Sequence, residues 1–582
     1  MCGIIGITEK NEQLVEAAAK LLGHRGPDAF GIFSDEQVTL GHNRLSIIDL
    51  DSRSNQPMAD ASGSLVVVYN GEIYNYKEVR TRLEKKGYVF RTQSDTEVLL
   101  YAYKEWGKGL GNELNGMFAF ALYDKEKNEL VLATDHANIK PLFYAQVGSS
   151  LAFSSELKGI IKMVKEKKER YELDRTALGV YYALGYIPAP ETLYKGVKRL
   201  PKRGWVVYNL EAKTLTEGQY PARPPVGRSE AEVHKLIEER ILSHLVADVP
   251  VGVFFSGGTD SSLILSVLHA HNINLETFSV EVAGRPTDEK YFTEIATRLG
   301  VKAHRYTFGI KEFEEVYPEV VAKMDEPLYD NSLFPTYFIA KQAAGKVKVV
   351  LSGEGGDEYF FGYPRSLALR SLARIPLDTG VGMFERLYIV TPHFRGKNKL
   401  FEQLFLWLKK PAAYYLLTMS PGKAFLSIPE WSAAKSALVN SVANTRSFDA
   451  DAYLPNNLLR KLDMATMYCS LEGRVPLLDP DVIASAQALP VPAEGEEKPV
   501  LRHMLEKYLS KELVNRKKQG FGLSLPELLA SSQMLQQEVK EALAYLRENK
   551  LFTTTEKEIA KYPHLCFALL SLYHTLHNAE RI

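Results

Sequence analysis

The chain has 582 residues, and single cores stop growing beyond roughly 250–300, so more than one domain is expected. Lys plus Arg and Asp plus Glu number 71 each, which leaves no net field to draw nucleic acid or an acidic membrane surface. Three widely spaced cysteines, Cys2, Cys469 and Cys566, exclude a disulfide framework or a cysteine-based zinc site and fit a reducing cytoplasm.

No apolar run reaches the roughly 18 residues of a spanning helix, and no basic segment precedes the first apolar run, so neither a membrane anchor nor a secretory signal is expected. The chain opens MCGIIGI. A cysteine among apolar residues is ordinarily a small buried hydrophobe. At position 2 a second reading opens, because removal of Met1 would put a free α-amine on the residue that carries the thiol. Such an amine, with an ordinary pKa of about 7.7–8.0, can serve as the base for its own nucleophile.

Next come HRGPD (24–28), HNRLSIIDL with Arg44 before an apolar run, VVVYNGEIYN running a strand into Asn70, Gly71 and Glu72, and SDTE with Asp95 at a helix start. Singly these read as a turn, a surface charge and an N-cap with its capping-box partner. Together, in this order, they resemble the glutaminase domain of class II glutamine amidotransferases, which have the N-terminal nucleophile (Ntn) αββα fold. The resemblance implies that Cys2 attacks the glutamine side-chain amide. The Asn70 side chain and Gly71 N–H would then hold the oxyanion, Arg44 the α-carboxylate, and Glu72 and Asp95 the α-ammonium. LATDHANIKPLFY (132–144 after Val131) departs from that pattern, with Thr134 for an arginine and Asn138 for a glycine, and is expected near the contact between domains.

Residues 211–228, rich in proline towards their end, are expected to link a first domain, 1–210, to a second, 229–582. Ser229 opens a helical pattern that leads to VPVGVFFSGGTDSSLILSVLHAHN (249–272). This reads as a buried strand, a small-residue loop and an apolar helix, a layout whose backbone N–H groups can hold phosphate. The loop lacks Walker A spacing. Strand and helix patterns then alternate, so a parallel α/β sheet is expected, with ligands beyond the carboxyl ends of its strands. KVKVVLSGEGGDEYFFGYPR (346–365) repeats the plan with an acidic loop, where magnesium is the expected ion because it takes carboxylate and phosphate oxygens together.

SGGTDSS resembles the pyrophosphate loop of ATP pyrophosphatases. With MDEPLYDNSLFPTY, LSGEGGDE, LRKLDMATMYCSLEGRVPLLDP and NRKKQGFG in order, nearly the whole chain resembles the glutamine-hydrolysing asparagine synthetase family. That resemblance implies ATP and Mg2+, with Ser256, Gly257, Gly258, Asp260, Ser261 and Ser262 around pyrophosphate. Asp260 and Asp357 would bind the metal, Val280 would lie by adenine, and Ser352 and Gly353 would touch the nucleotide. Glu354 would lie near the reacting carboxylate and Lys461 would face the transferring phosphates. Thr259, Phe361 and Met464 stand where the family more often has Leu or Val, Gly and Arg. The expected substrates are glutamine, ATP and aspartate, with a cytoplasmic enzyme, no nucleic-acid or membrane partner, and a homodimer as one possible assembly. Two alternatives are the same chemistry on another carboxylate, such as a sugar acid or natural-product intermediate, and a degenerate binding or regulatory protein.

Overall fold

The N-terminal strand Gly3–Ile7 lies in the middle of a six-stranded antiparallel sheet, between Thr39–Arg44 and Ser150–Ser154. The structure is a computed structural model that describes residues 2–283, 289–301, 303–363, 448–493, 496–515, 524–551 and 563–582. Most of the basic run before QGFG lies outside the described residues. A second six-stranded sheet has Leu65–Ile73 beside Gly116–Asp124. Alternation puts Ile4, Leu40, Val66, Val68, Ala119 and Phe153 on the inner faces, where the sheets meet. Helices Glu12–Lys20 and Leu157–Glu166 cover the outer face of the first sheet, and Tyr76–Glu84 and Asp95–Trp106 that of the second. The result is the expected αββα layering.

Thr214–Gln219, inside the span expected as a linker, pairs with Gly204–Asn209 and extends this second sheet. Residues 220–228 carry no regular element and are pinned at several points: the Tyr220 hydroxyl donates to the Thr134 carbonyl (2.6 Å) and Arg223 pairs with Asp481. Ser229 caps helix Glu230–Ser243 in a full capping box with Glu232.

The second half is built on a five-stranded parallel sheet in the order Ala303–Phe308, Glu276–Val282, Val251–Phe254, Val349–Leu351, Glu472–Arg474. Helix Thr259–Ala270 covers one face through Leu263, Ile264 and Val267, and helix Leu333–Ala344 the other through Ile339, Ala340 and Ala343. The Ser256 and Ser352 loops leave adjacent strands at their carboxyl ends, so the topology itself brings them together. One core cluster runs from Ile5 and Val15 of the first half to Phe334, Leu543 and Leu572 of the second. No described helix is long and apolar enough to cross a membrane.

Candidate active sites

Cys2 ends in a cleft of about 370 Å³ lined also by Arg44, Gly71, Glu72, Asp95 and Glu472. Its backbone N donates to Asn70 Oδ1 (2.9 Å), which fixes the amide so that Nδ2, buried and without a partner, is the free donor. Burial pushes the Cys2 thiol up, opposed chiefly by the chain's α-ammonium.

Asn-Gly does not form a turn here; Asn70, Gly71 and Glu72 lie within strand Leu65–Ile73. Phe118, opposite Gly71, uses its own N–H and carbonyl on Asp135, so Gly71 and Phe118 are a non-hydrogen-bonded pair. Tyr69 N and Ile73 N point away from that neighbouring strand, to Gln56 Oε1 (2.6 Å) and Asp95 Oδ2 (3.1 Å). Two residues from each, the Gly71 N–H shares their direction and opens on the cleft. A Cβ at Gly71 would lie 2.2 Å from the Met117 carbonyl, so only glycine fits.

Asp95 is the first residue of helix Asp95–Trp106, capped by Ser94. The capping box does not form, because Glu97 instead accepts from the backbone of Arg91 and Thr92. Burial pushes Asp95 up to about 6, against the lowering bond from the Tyr69 hydroxyl (2.8 Å). Glu72 is likewise raised by burial, with Arg474 opposing; its Oε2 takes Arg474 Nη2 (2.9 Å), and Oε1 is buried with no partner.

Arg44 closes strand Thr39–Arg44, and the run after it is not a strand. The guanidinium explains this. Its Nη1 donates to the Asp51 carbonyl (2.9 Å) and Asn55 Oδ1 (2.7 Å), and its Nη2 to the carbonyls of Ile48 (3.3 Å) and Asp49 (2.5 Å), folding the loop back over the cation. All four Nη hydrogens are thus committed. A ligand carboxylate would meet Arg44 through its charge and its Nε–H, not through a two-pronged clamp.

The second cleft, about 500 Å³, is lined by Gly257, Gly258, Thr259, Ser262, Asp357 and Lys498. Gly257 has φ +68, which a side chain would strain, and Ser256 Oγ meets Ser261 Oγ at 3.1 Å across the loop. The Ser262 hydroxyl is buried without a partner. The two loops interlock through missing side chains: a Cβ on Gly353 would lie 2.8 Å from Asp260 Cβ, and one on Gly356 2.3 Å from Asp260 Oδ1. Ser352 N donates to the Arg474 carbonyl (2.8 Å), and Glu354 Oε2 is buried with no partner. Val280 is half-buried on strand Glu276–Val282, paired in register with Tyr306.

The cation that meets the two aspartates is Lys498, which sequence reading missed. Its Nζ lies 2.5 Å from Asp260 Oδ2 and 2.8 Å from Asp357 Oδ1. Burial works against the ammonium, but the two carboxylates outweigh it and hold the pKa above the ordinary value. Lys498 sits in an acidic stretch, EGEEKP, that reads as a solvated turn; a lysine set before a proline that opens a helix was the only clue. Lys461 lies elsewhere, donating to Ser332 Oγ (3.0 Å) with Asp330 at 3.9 Å.

Among the departures, Asn138 has φ +59, the left-handed region that glycine and asparagine share, and Phe361 has φ +65, which explains why glycine is commoner there. Thr134 Oγ1 donates to the Pro201 carbonyl (2.7 Å), and Met464 is buried in the core. The segment after Thr134 does meet the second half, with His136 bonded to the Leu478 carbonyl (2.5 Å). Sequence reading also passed over Arg25. It donates to the Cys2 carbonyl (3.2 Å), to Glu156 (2.9 Å) and, through both Nη atoms, to Asp463 of the second half (3.0 Å each).

Residues 1–221 match the family model for a glutamine amidotransferase domain, and residues 232–562 the model for asparagine synthase. The chain belongs to the glutamine-hydrolysing asparagine synthetase family. It is 33% identical over 558 residues to the glutamine-hydrolysing asparagine synthetase 1 of Bacillus subtilis, covering 90% of this chain and 87% of that one. The B. subtilis family member numbered 3 is 28% identical over 575 residues, covering 90% and 87%. Asparagine synthetase B of Escherichia coli is 32% identical over 393 residues, covering 62% and 65%. Both clefts therefore fall within family-matched segments, with Lys498 and Arg474 in the second.

Proposed function

We propose that the chain converts aspartate to asparagine, using glutamine as nitrogen donor and cleaving ATP to AMP and pyrophosphate. The observation that carries this reading is a buried cysteine at position 2 beside two unused oxyanion donors, in one chain with a glycine-rich strand-end loop facing paired aspartates. The first domain, 1–210, would hydrolyse glutamine, and the second, 229–582, would make the amide, joined by 211–228.

In the first cleft the α-amine freed by loss of Met1 takes the Cys2 thiol proton, and the thiolate attacks the glutamine amide carbon. The developing oxyanion is received by Asn70 Nδ2–H and Gly71 N–H. Collapse breaks the carbon–nitrogen bond, the α-ammonium returns its proton to the leaving nitrogen, and ammonia departs. Water then hydrolyses the thioester to glutamate. Glu72 and Asp95 hold the substrate's α-ammonium, and Arg44 draws its carboxylate by charge.

In the second cleft, Ser256 to Ser262 offer N–H and hydroxyl donors to the pyrophosphate, while Ser352, Gly353 and Val280 flank the nucleotide. The donor set fits a magnesium ion. Asp260 Oδ1 is buried and without a partner, Asp357 lies within reach of the same lysine, and magnesium takes one or two carboxylates together with phosphate oxygens. When bound, the ion would supply charge neutralisation to the phosphates. Lys498 sits where it can follow charge onto the leaving pyrophosphate, a role supported more directly for it than for Lys461. The aspartate carboxylate attacks the α-phosphorus, pyrophosphate leaves, and ammonia displaces AMP from the acyl-adenylate with Glu354 beside the reacting carbon. Ammonia must cross inside the protein, since in water at neutral pH it would be protonated and lost as a nucleophile. The free thiols of Cys2, Cys469 and Cys566 support a cytoplasmic setting.

The test is AMP release with glutamine and Mg–ATP, with aspartate or other carboxylic acids. AMP formation that depends on aspartate is expected; AMP only with another acid would move the acceptor, and none with any acid would favour a binding protein.

A further inference from the structure

Leu45, Ile47 and Ile48, on the loop that follows Arg44, form one wall of the cleft that contains Cys2. Asp49 of the same loop ties the two charged ends of that cleft together. Its carbonyl accepts from Arg44 Nη2 (2.5 Å), beside the Ile48 carbonyl (3.3 Å), and its carboxylate accepts from the N–H of Gln93 (2.7 Å), which leads into Ser94 and Asp95. Asp49 does this with φ +47, a left-handed conformation that a residue with a side chain keeps only where its surroundings fix it.

Part of what fixes it comes from the other half of the chain. Asp49 N–H donates to Asp248 Oδ2 (2.8 Å), and Asp248 N–H donates back to the Ile47 carbonyl (2.9 Å), so a single residue clasps the loop at two points. Beside this clasp, Ser46 N–H donates to Asp28 Oδ2 (2.7 Å), which also accepts from Lys348 Nζ (2.7 Å). Leu45, Ile47 and Ile48 share a core cluster with Val349, and Val246, Ala247, Val249 and Val251 pack against it. Asp248 stands just before strand Val251–Phe254, and Lys348 just before strand Val349–Leu351. The loop therefore rests on the amino ends of the two adjacent strands whose carboxyl ends carry the Ser256 and Ser352 loops.

We propose that Asp248, from the synthetase half, is a positioning residue for glutamine recognition. It holds Asp49 in the conformation that sets Arg44 and Asp95 around the substrate's α-carboxylate and α-ammonium, and itself touches no substrate. This rests on the glutamine-hydrolysing reading of the cleft and deepens it. Ammonia supplied from solution bypasses that cleft, so Asp248 serves one nitrogen source and not the other. Its side chain is exposed, so removing it opens no hole in the core.

The experiment uses the full chain and two assays, glutamate formed from glutamine and asparagine formed from ammonium salt with ATP, magnesium and aspartate. Asp248→Ala is expected to raise the KM for glutamine about fivefold to tenfold, because a hydrogen bond to a charged acceptor is lost. The kcat for glutamine and the rate from ammonium should each stay within about twofold. Asp248→Asn keeps an acceptor oxygen for Asp49 N–H and should restore the KM to within about twofold of wild type. An unchanged KM in Asp248→Ala would overturn the proposal, and so would a KM raised as much by Asn as by Ala. A fall in the ammonium rate that matches the loss with glutamine would overturn it too, because Asp248 would then sustain the fold or the nucleotide strand. A wild-type chain that forms no glutamate from glutamine would instead overturn the underlying reading of the cleft.

Discussion

At the scale of single residues, the glutamine cleft is set by which atoms the fold leaves unused. Asn70 Oδ1 is occupied by Cys2 N, so Nδ2 is the donor that remains. Asp95 shows the same logic in its titration. Burial raises it to about 6, so it is neutral below that pH and anionic above it. An ammonium needs the anion. The KM for glutamine is therefore expected to rise as pH falls through about 6, with a tenfold loss for each unit well below it. Steady-state kinetics between pH 5 and 8 check this; a flat KM would separate Asp95 from the substrate ammonium. Cys2 was legible from its terminal position, which would put an amine base on the nucleophile's own residue, whereas Asn70, Gly71, Arg44, Glu72 and Asp95 were legible only through the resemblance of their motifs to class II glutaminase domains. What sequence could not supply was Arg44's true geometry. Its type and position suit a carboxylate clamp, but only the folded loop shows its Nη hydrogens already taken.

At the scale of elements, two loops leaving adjacent parallel strands form the second cleft, and glycines at 353 and 356 let them close over Asp260. That much was readable, because small residues after an apolar strand are a local signal. Lys498, Arg474 and Arg25 were not readable, because each acts on a partner far away in sequence: 238 residues for Lys498 and Asp260, 402 for Arg474 and Glu72, 438 for Arg25 and Asp463. No periodicity or local spacing records such a pairing. Lys498→Gln removes the cation shared by Asp260 and Asp357. Pyrophosphate release with ATP and aspartate should fall about 10²-fold, the usual consequence of losing one preorganised charge at a reacting phosphate. Glutamine hydrolysis, measured as glutamate formed, should persist. Pyrophosphate release at the wild-type rate would remove Lys498 from the chemistry.

At the scale of the whole molecule, the two halves are not beads on a string. A continuous apolar core joins them, and a buried set of ions spans the junction: Arg25 with Glu156 and Asp463, and Arg460 with Asp325, Glu326 and Asp463. Breaking a buried pair by removing one partner commonly costs about 3–5 kcal/mol, so these ions fix one docking arrangement. The parallel sheet of the second half was legible from its alternation of strand and helix patterns, whereas the αββα layering of the first was implied only by its resemblance to class II glutaminase domains. How closely the halves merge was not legible, because residues 220–228 look like a free linker and are instead tied to both sides. The central claim is that one chain makes ammonia at Cys2 and consumes it at a separate ATP site. The most direct measurement is asparagine formation by Cys2→Ala with ATP, magnesium and aspartate, supplied in turn with glutamine and with ammonium salt. The expected result is asparagine from ammonia but none from glutamine. Asparagine from glutamine, or none from either donor in a folded variant, would contradict the account.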